Sequence, residues 1–203
     1  MILLYLETNF LVGRATGRDR LEWARPGLPP IRAAIPGVCF LEAFGWMEGE
    51  KKRRKAFGRA LTEQLVQLRR DLTSPSAATL SVILDTAIAQ NLALLDEINE
   101  RLFAAVARVS SAAEILAVTA AVLEASRRTI LIDESTDNLI AHNILDHARS
   151  TAGPKAFFSE NHRDFGGAAV QSGLRSAGVT YLRDPDRLFE WAGAQGHVGD
   201  ALG

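Results

Sequence analysis

The chain has 203 residues, 24 of them acidic and 23 basic, for a net charge of −1 with histidines neutral. That near-balance excludes an overall basic bias toward nucleic acid, so any nucleic-acid contact has to come from local patches. One cysteine, Cys39, excludes an internal disulfide framework and fits a reducing, cytoplasmic setting. With 47% hydrophobic and 23% charged residues the composition is that of an ordinary globular domain.

Met1-Ile-Leu-Leu-Tyr-Leu6 reads as a strand buried on both faces, as in a parallel sheet. It runs into Glu7 and then into Thr8 and Asn9, either of which can open a helix. Glu7 therefore falls at the carboxyl end of a first strand, where open α/β sheets bind ligands. Phe10 to Val12 begin a helix or turn that dissolves into Arg14, Gly17 and Arg18; Pro26, Gly27, Pro29 and Pro30 mark a loop. Ile31 to Ile35 is a second strand. Val38 to Met47 is apolar almost all round and reads as a buried helix, with Glu42 on the stripe of Val38, Leu41, Gly45 and Trp46.

From Glu48 the sequence turns polar and carries the run Lys51-Lys52-Arg53-Arg54-Lys55. Apolar residues then keep helical spacing to Leu72, Ser74-Pro75-Ser76 breaks the pattern, and a long periodic segment spans Ala77 to Val106. At about 1.5 Å per residue that segment is a helix of roughly 40 Å, which suggests a helical hairpin that doubles as an oligomer surface. Ser110 or Ser111 caps a further helix to about Arg128, with Glu114 closing a capping box. The stretch 49–128 thus reads as an all-helical insertion. The longest weakly polar stretch, Ile115 to Ala125, is too short for a membrane span, and the start lacks the basic flank of a signal peptide.

The remainder alternates. Thr129 to Ile132 reads as a strand, Ser135 or Thr136 caps a helix to about Arg149, and Lys155 to Ser159 is a strand followed by the polar run Glu160-Asn161-His162-Arg163-Asp164. A helix from about Ala168 to Ala177 ends at Gly178, Val179 to Leu182 is a last strand, and Asp184-Pro185 opens a closing helix to about Ala194. A frayed tail is expected over 196–203. Alternation at both ends predicts an α/β domain over 1–195, a parallel sheet flanked by helices in three Rossmann-like layers.

Three further acids share the situation of Glu7. Glu42 lies on an apolar helix. Asp137 shares a stripe with Ile140, Ala141 and Ile144. Asp164 follows a strand by a few residues. Inward acids at strand ends repel one another unless a cation joins them, and hard divalent ions such as Mg²⁺ or Mn²⁺ take oxygen ligands.

In this order the motifs carry a resemblance. Tyr5-Leu-Glu-Thr-Asn-Phe-Leu11 resembles the opening motif of PIN-domain nucleases, Glu42 is similar to their second acid, and Asp137-Asn-Leu-Ile-Ala141 resembles their third motif. Phe157-Phe-Ser-Glu-Asn-His-Arg-Asp-Phe165 resembles their closing strand and turn. The resemblance covers roughly 1–48 and 129–192. It implies a PIN-like fold and a Mg²⁺- or Mn²⁺-dependent ribonuclease in which Glu7, Glu42, Asp137 and Asp164 hold metal and carry catalysis. Thr8, Asn9, Ser159 and Asn161 would support them. Many members are toxins, which implies a protein antitoxin as partner, and a homodimer or higher oligomer is expected. Arg14, Lys51, Lys52, Arg53 and Arg54 are the candidate phosphate contacts, and Arg18 and Arg20 are candidates for the substrate entrance. Two departures stand out. The family's first acid is usually Asp, where this chain has Glu7, and its fourth acid is replaced by Asn161. These point to the alternative of a PIN-fold protein that has lost catalysis and serves as an RNA-binding or interaction module.

Overall fold

A computed structural model of the chain describes residues 1–18, 21 and 29–200, the side chains of 196–200 excepted. Arg20, Pro26 and Gly27, and with them part of the expected loop and entrance, lie outside the described residues. Five strands, β1 (Ile2–Tyr5), β2 (Ile31–Pro36), β3 (Ala113–Leu116), β4 (Lys155–Phe158) and β5 (Val179–Leu182), form one all-parallel sheet in the order β3-β2-β1-β4-β5. β1 and β4 lie at the centre and every residue in them is buried. That is why both read as unbroken runs rather than as alternating patterns.

The chain starts mid-sheet, winds outward through β2 to β3, then crosses back to β4 and β5. The helices are α1 (Thr8–Thr16), α2 (Val38–Leu68), α3 (Pro75–Ala112), α4 (Ala120–Arg128), α5 (Ser135–Ser150), α6 (His162–Phe165), α7 (Ala168–Ser176) and α8 (Pro185–Asp200). Right-handed crossovers put α1, α2 and α3 on one face, and α4, α5 and α7 on the other. The packing agrees: α1 lies against α2 and α3, and α5 against α4 and α7. The reversal of winding direction falls between β1 and β4, which makes the crevice above their carboxyl ends the natural ligand position.

Several sequence expectations are corrected. Thr129 to Ile132 is not a strand. Ile130 is 63% exposed, and the N–H groups of Leu131 and Ile132 donate to the Asn138 Oδ1 instead of to a ladder. The strand at that edge of the sheet is β3, hidden directly behind α3. The expected cap at Ser110 or Ser111 does not form, because both hydroxyls bond back to helix carbonyls, those of Ala107 and Arg108. Glu114 sits in β3 beside Arg32 and His147, and Thr119 caps α4. The stretch 49–128 is therefore not an all-helical insertion. It contains β3, and the α2–α3 hairpin is an elongated crossover between β2 and β3.

Helix bounds differ too: the two helical stretches read before Ser74 are one helix, and α3 and α8 run longer than the sequence predicts. The buried segment from Val38 continues as α2 to Leu68, and the periodic segment extends from Pro75 to Ala112. The closing helix continues through Asp200, beyond the expected start of the frayed tail. α3 is long and apolar enough, by length and composition, to cross a membrane, with only 6% of its most apolar window buried. No stretch of that kind was expected from the sequence.

Caps account for the element ends. Gly17, with φ of 71°, ends α1, and Arg18 N–H reaches back to the Gly13 carbonyl. Buried Lys155 donates its ammonium to the carbonyls of Ala148 (2.9 Å) and Thr151 (2.6 Å) at the end of α5. Lys155→Met will leave these acceptors without their charged donor, and urea unfolding should show a loss of about 1–3 kcal/mol.

Candidate metal centre

Sheet register builds the site. Tyr5 pairs with Ala34 on one side and Phe157 on the other, so Glu7 and Ser159, each two residues further on, end side by side. Ser159 Oγ donates to Glu7 Oε1 at 3.0 Å. Ser159 is pinned in turn by its N–H to the Leu182 carbonyl, and its own carbonyl accepts from Tyr181 Oη at 3.1 Å. The other Glu7 oxygen accepts from Asn9 N–H at 2.6 Å, so Glu7 itself is the N-cap of α1, a role the sequence suggested for Thr8 or Asn9.

α2 supplies Glu42, though not by the stripe expected. Its buried face is Cys39, Ala43 and Met47, while Leu41 is 71% exposed. Glu42 borders that face, half-buried, and accepts a hydrogen bond from the Thr8 hydroxyl. α5 supplies Asp137, buried in its first turn. The α5 cap is Glu134 rather than Ser135 or Thr136, and its carboxylate accepts from Asp137 N–H at 2.6 Å.

The turn after β4 closes the site. Asn161 N–H donates to Ser159 Oγ at 3.0 Å and Asn161 Nδ2 donates to Asp137 Oδ2 at 3.2 Å. Asn161 also caps α6, where its Oδ1 accepts from Asp164 N–H at 3.4 Å. A hydrogen-bonded line therefore runs from Glu7 through Ser159 and Asn161 to Asp137. Asn161 contributes an amide where a carboxylate would only repel.

The electrostatics are those of an uncompensated acid cluster. Burial, with Asp137 and Glu42 nearby, pushes Glu7 up to about 8, against the hydrogen bonds from Asn9 and Ser159. Burial and the charges of Glu42, Asp164 and Glu134 push Asp137 up to about 7. Glu42 is raised too, by burial and by Glu134. Among the described residues none of the four predicted acids forms an ion pair with Lys or Arg. The N-termini of α1, capped by Glu7, and of α5, with Asp137 in its first turn, supply partial positive charge to the cluster.

In type and charge this oxygen-only, cation-free set suits a hard divalent ion. In placement it is not a ready chelate. No group of three or more His, Cys, Asp or Glu side chains among the described residues is arranged to hold one ion. Glu7, Glu42 and Asp137 each turn toward a neutral donor instead.

The other predicted residues spread further out. Asn9 joins Glu7, Phe10, Phe158 and Glu160 in lining a small cleft at the site. Arg14 stacks over Phe10 and lines a depression with Arg101 and Arg108. Lys51 to Arg54 lie along α2, roughly 14–18 Å beyond Glu42 at helical rise. There Lys51 pairs with Glu48, and Arg53 and Arg54 pair with Glu50. The acids that sequence reasoning missed are Glu134 and Glu160. The signal for Glu134 was its place three residues before Asp137, at a helix start. No protein-family model matches the chain, and no curated protein or solved structure matches it.

Proposed function

We propose that this chain is a PIN-like, Mg²⁺- or Mn²⁺-dependent ribonuclease that hydrolyses RNA phosphodiester bonds. One observation carries the reading: carboxylates from four separate segments come near one another by the carboxyl ends of β1 and β4, at the reversal point of the sheet, with no Lys or Arg ion-paired to them among the described residues. Glu7, Glu42, Asp137 and Asp164 are the residues that would hold the ion. A bound divalent ion supplies a polarised water and offsets charge on the phosphodiester. The chain does the positioning. Thr8 holds Glu42, Ser159 and the Asn9 amide hold Glu7, and Asn161 holds Asp137. RNA as substrate, a protein antitoxin as partner and a cytoplasmic setting are the parts of the proposal that rest on the motif resemblance and on the single cysteine.

Incubation of the pure protein with labelled RNA and Mn²⁺ tests it. Cleavage that stops with chelator is the expected result. A second reading, a PIN-fold module that binds RNA without cutting, is favoured by the acids' turning toward neutral donors rather than toward one point. RNA binding indifferent to chelator, with no cleavage, would establish that reading instead. Ser159→Ala is expected to weaken Mn²⁺ binding about 10–100-fold, read by isothermal titration, because Glu7 loses the hydroxyl that orients it.

A further inference from the structure

Helices α2 and α3 leave the sheet as an antiparallel hairpin. Asn91, buried, donates to the Arg54 carbonyl at 3.0 Å, and further out Arg69 pairs with Asp85 at 2.7 Å. The two sides of the hairpin differ. On one, Lys52, Lys55 and Arg59 line a groove with Ile88 and Leu92. On the other, Leu80, Ile83, Ala87 and Leu94 form a stripe along α3. Leu80 is 43% exposed, Ile83 56% and Leu94 38%. Phe57 of α2, 54% exposed, points to the same side, since two residues turn a helix by about 200° and so place it opposite Arg59.

We propose that this apolar side is where a second copy of the chain docks, the two hairpins closing an antiparallel four-helix bundle. Three features point to a copy of itself. The first is charge: between Pro75 and Leu95 the sequence carries one ionisable residue, Asp85, already paired with Arg69. A two-fold interface must be complementary to itself, and the neutral α3 stripe meets that condition up to its inner end, where Leu94 meets Glu50, Arg53, Arg54 and Arg101. The second is symmetry along the stripe. Leu80 and Leu94 lie seven residues either side of Ala87, so reversing the helix about Ala87 sets leucine against leucine. The small side chain at the centre permits close approach, and the three- and four-residue spacing suits knobs-into-holes packing.

The third feature is size. A two-helix face about 20 Å wide and about 30 Å long covers roughly 600 Å² per copy, toward the lower end for stable dimers. A bilayer fits less well, although α3 alone has the length and composition of a span. α2, packed along it, carries Lys55, Arg59 and Glu63, and the turn that follows it carries Arg69, Arg70 and Asp71.

This inference does not depend on nuclease activity, and its test is oligomeric state. Light scattering after size exclusion at tens of micromolar should give twice the 22.0 kDa chain mass. Leu80→Glu with Ile83→Glu should halve that mass and leave the helical circular dichroism unchanged. Should that variant fold poorly, Ala87→Cys keeps the question open to test. On mild oxidation it should yield a covalent dimer across the axis, while Thr62→Cys on the charged side should not; the native Cys39 is buried. A wild-type chain that stays monomeric, a dimer that survives the double substitution, or flotation with phosphatidylcholine vesicles would overturn the proposal.

Discussion

Asp137→Asn should reduce Mn²⁺-dependent RNA cleavage by at least about 10³-fold while leaving the protein folded. The substitution keeps the shape of the side chain and removes the charge that, in the proposed function, would attract a divalent ion and hold it. Metal-supplied stabilisation of transition-state charge amounts to several kcal/mol, and each 1.4 kcal/mol is tenfold in rate. Stability should not suffer at neutral pH. The carboxyl is held up to about 7 by burial and by the negative charges of Glu42, Asp164 and Glu134, so a neutral amide relieves repulsion. Loss of cleavage with equal or higher unfolding temperature is the expected pair of results. A variant that cuts as well as wild type would remove Asp137 from the site. A variant that loses both activity and fold would mark it as structural. Ser159→Ala, which removes only a donor to Glu7, should stay within one to two decades of wild type, so the two substitutions separate holding an ion from orienting its ligand.

What the sequence disclosed follows from where each signal originates. β1 and β4 were legible because strands buried on both faces leave unbroken apolar runs bounded by polar turns. The order of the acids was legible because each sits at an element boundary, where composition changes abruptly. The hairpin's existence was legible from periodicity, but its ends were not. Ser110 and Ser111 look like caps, yet in place they bond back along a continuing helix, and only then does Ala113 enter the sheet. β3 is not legible because Ala113-Glu-Ile-Leu116 is too short and too mixed to outweigh Thr129-Ile-Leu-Ile132 further along. That second run loses its place in the sheet to the Asn138 side chain, a contact no local pattern encodes. Glu42 reaches the cluster by a route its own stripe does not encode. That stripe is partly exposed, and what draws it in is the hydroxyl of Thr8, on a different helix. Such contacts between distant segments also explain Asn161. From sequence it is a missing acid, whereas in the fold it is an amide donor that ties Asp137 to the Ser159–Glu7 pair.

Glu7→Gln should change how the metal-free protein responds to pH, and this prediction separates an acid cluster awaiting a cation from a satisfied polar cluster. Glu7 has a carboxyl pushed up to about 8 in the folded state against an ordinary value of 4.5. Between those values the folded chain holds a proton that the unfolded chain has released. Stability is therefore greatest below about pH 4.5 with respect to this group, falls as pH rises toward 8, and levels off above it. At about 1.4 kcal/mol per unit, the wild-type chain should lose at least about 2 kcal/mol between pH 5 and 8, measured by urea unfolding in chelator. Asp137, held up to about 7, adds to the same trend. The Gln variant cannot ionise at this position, so its loss over the same range should be distinctly smaller and it should be the more stable protein at pH 8. Adding Mn²⁺ should reverse the ranking. A cation that binds the ionised folded cluster and not the unfolded chain raises wild-type stability in proportion to the logarithm of its concentration over Kd, and the variant lacks one of the charges that bind it. Parallel pH curves for the two proteins would show that Glu7 is already compensated within the fold. A Mn²⁺ response equal in both would show that Glu7, the residue with which the acidic series begins, is not one of the ion's ligands.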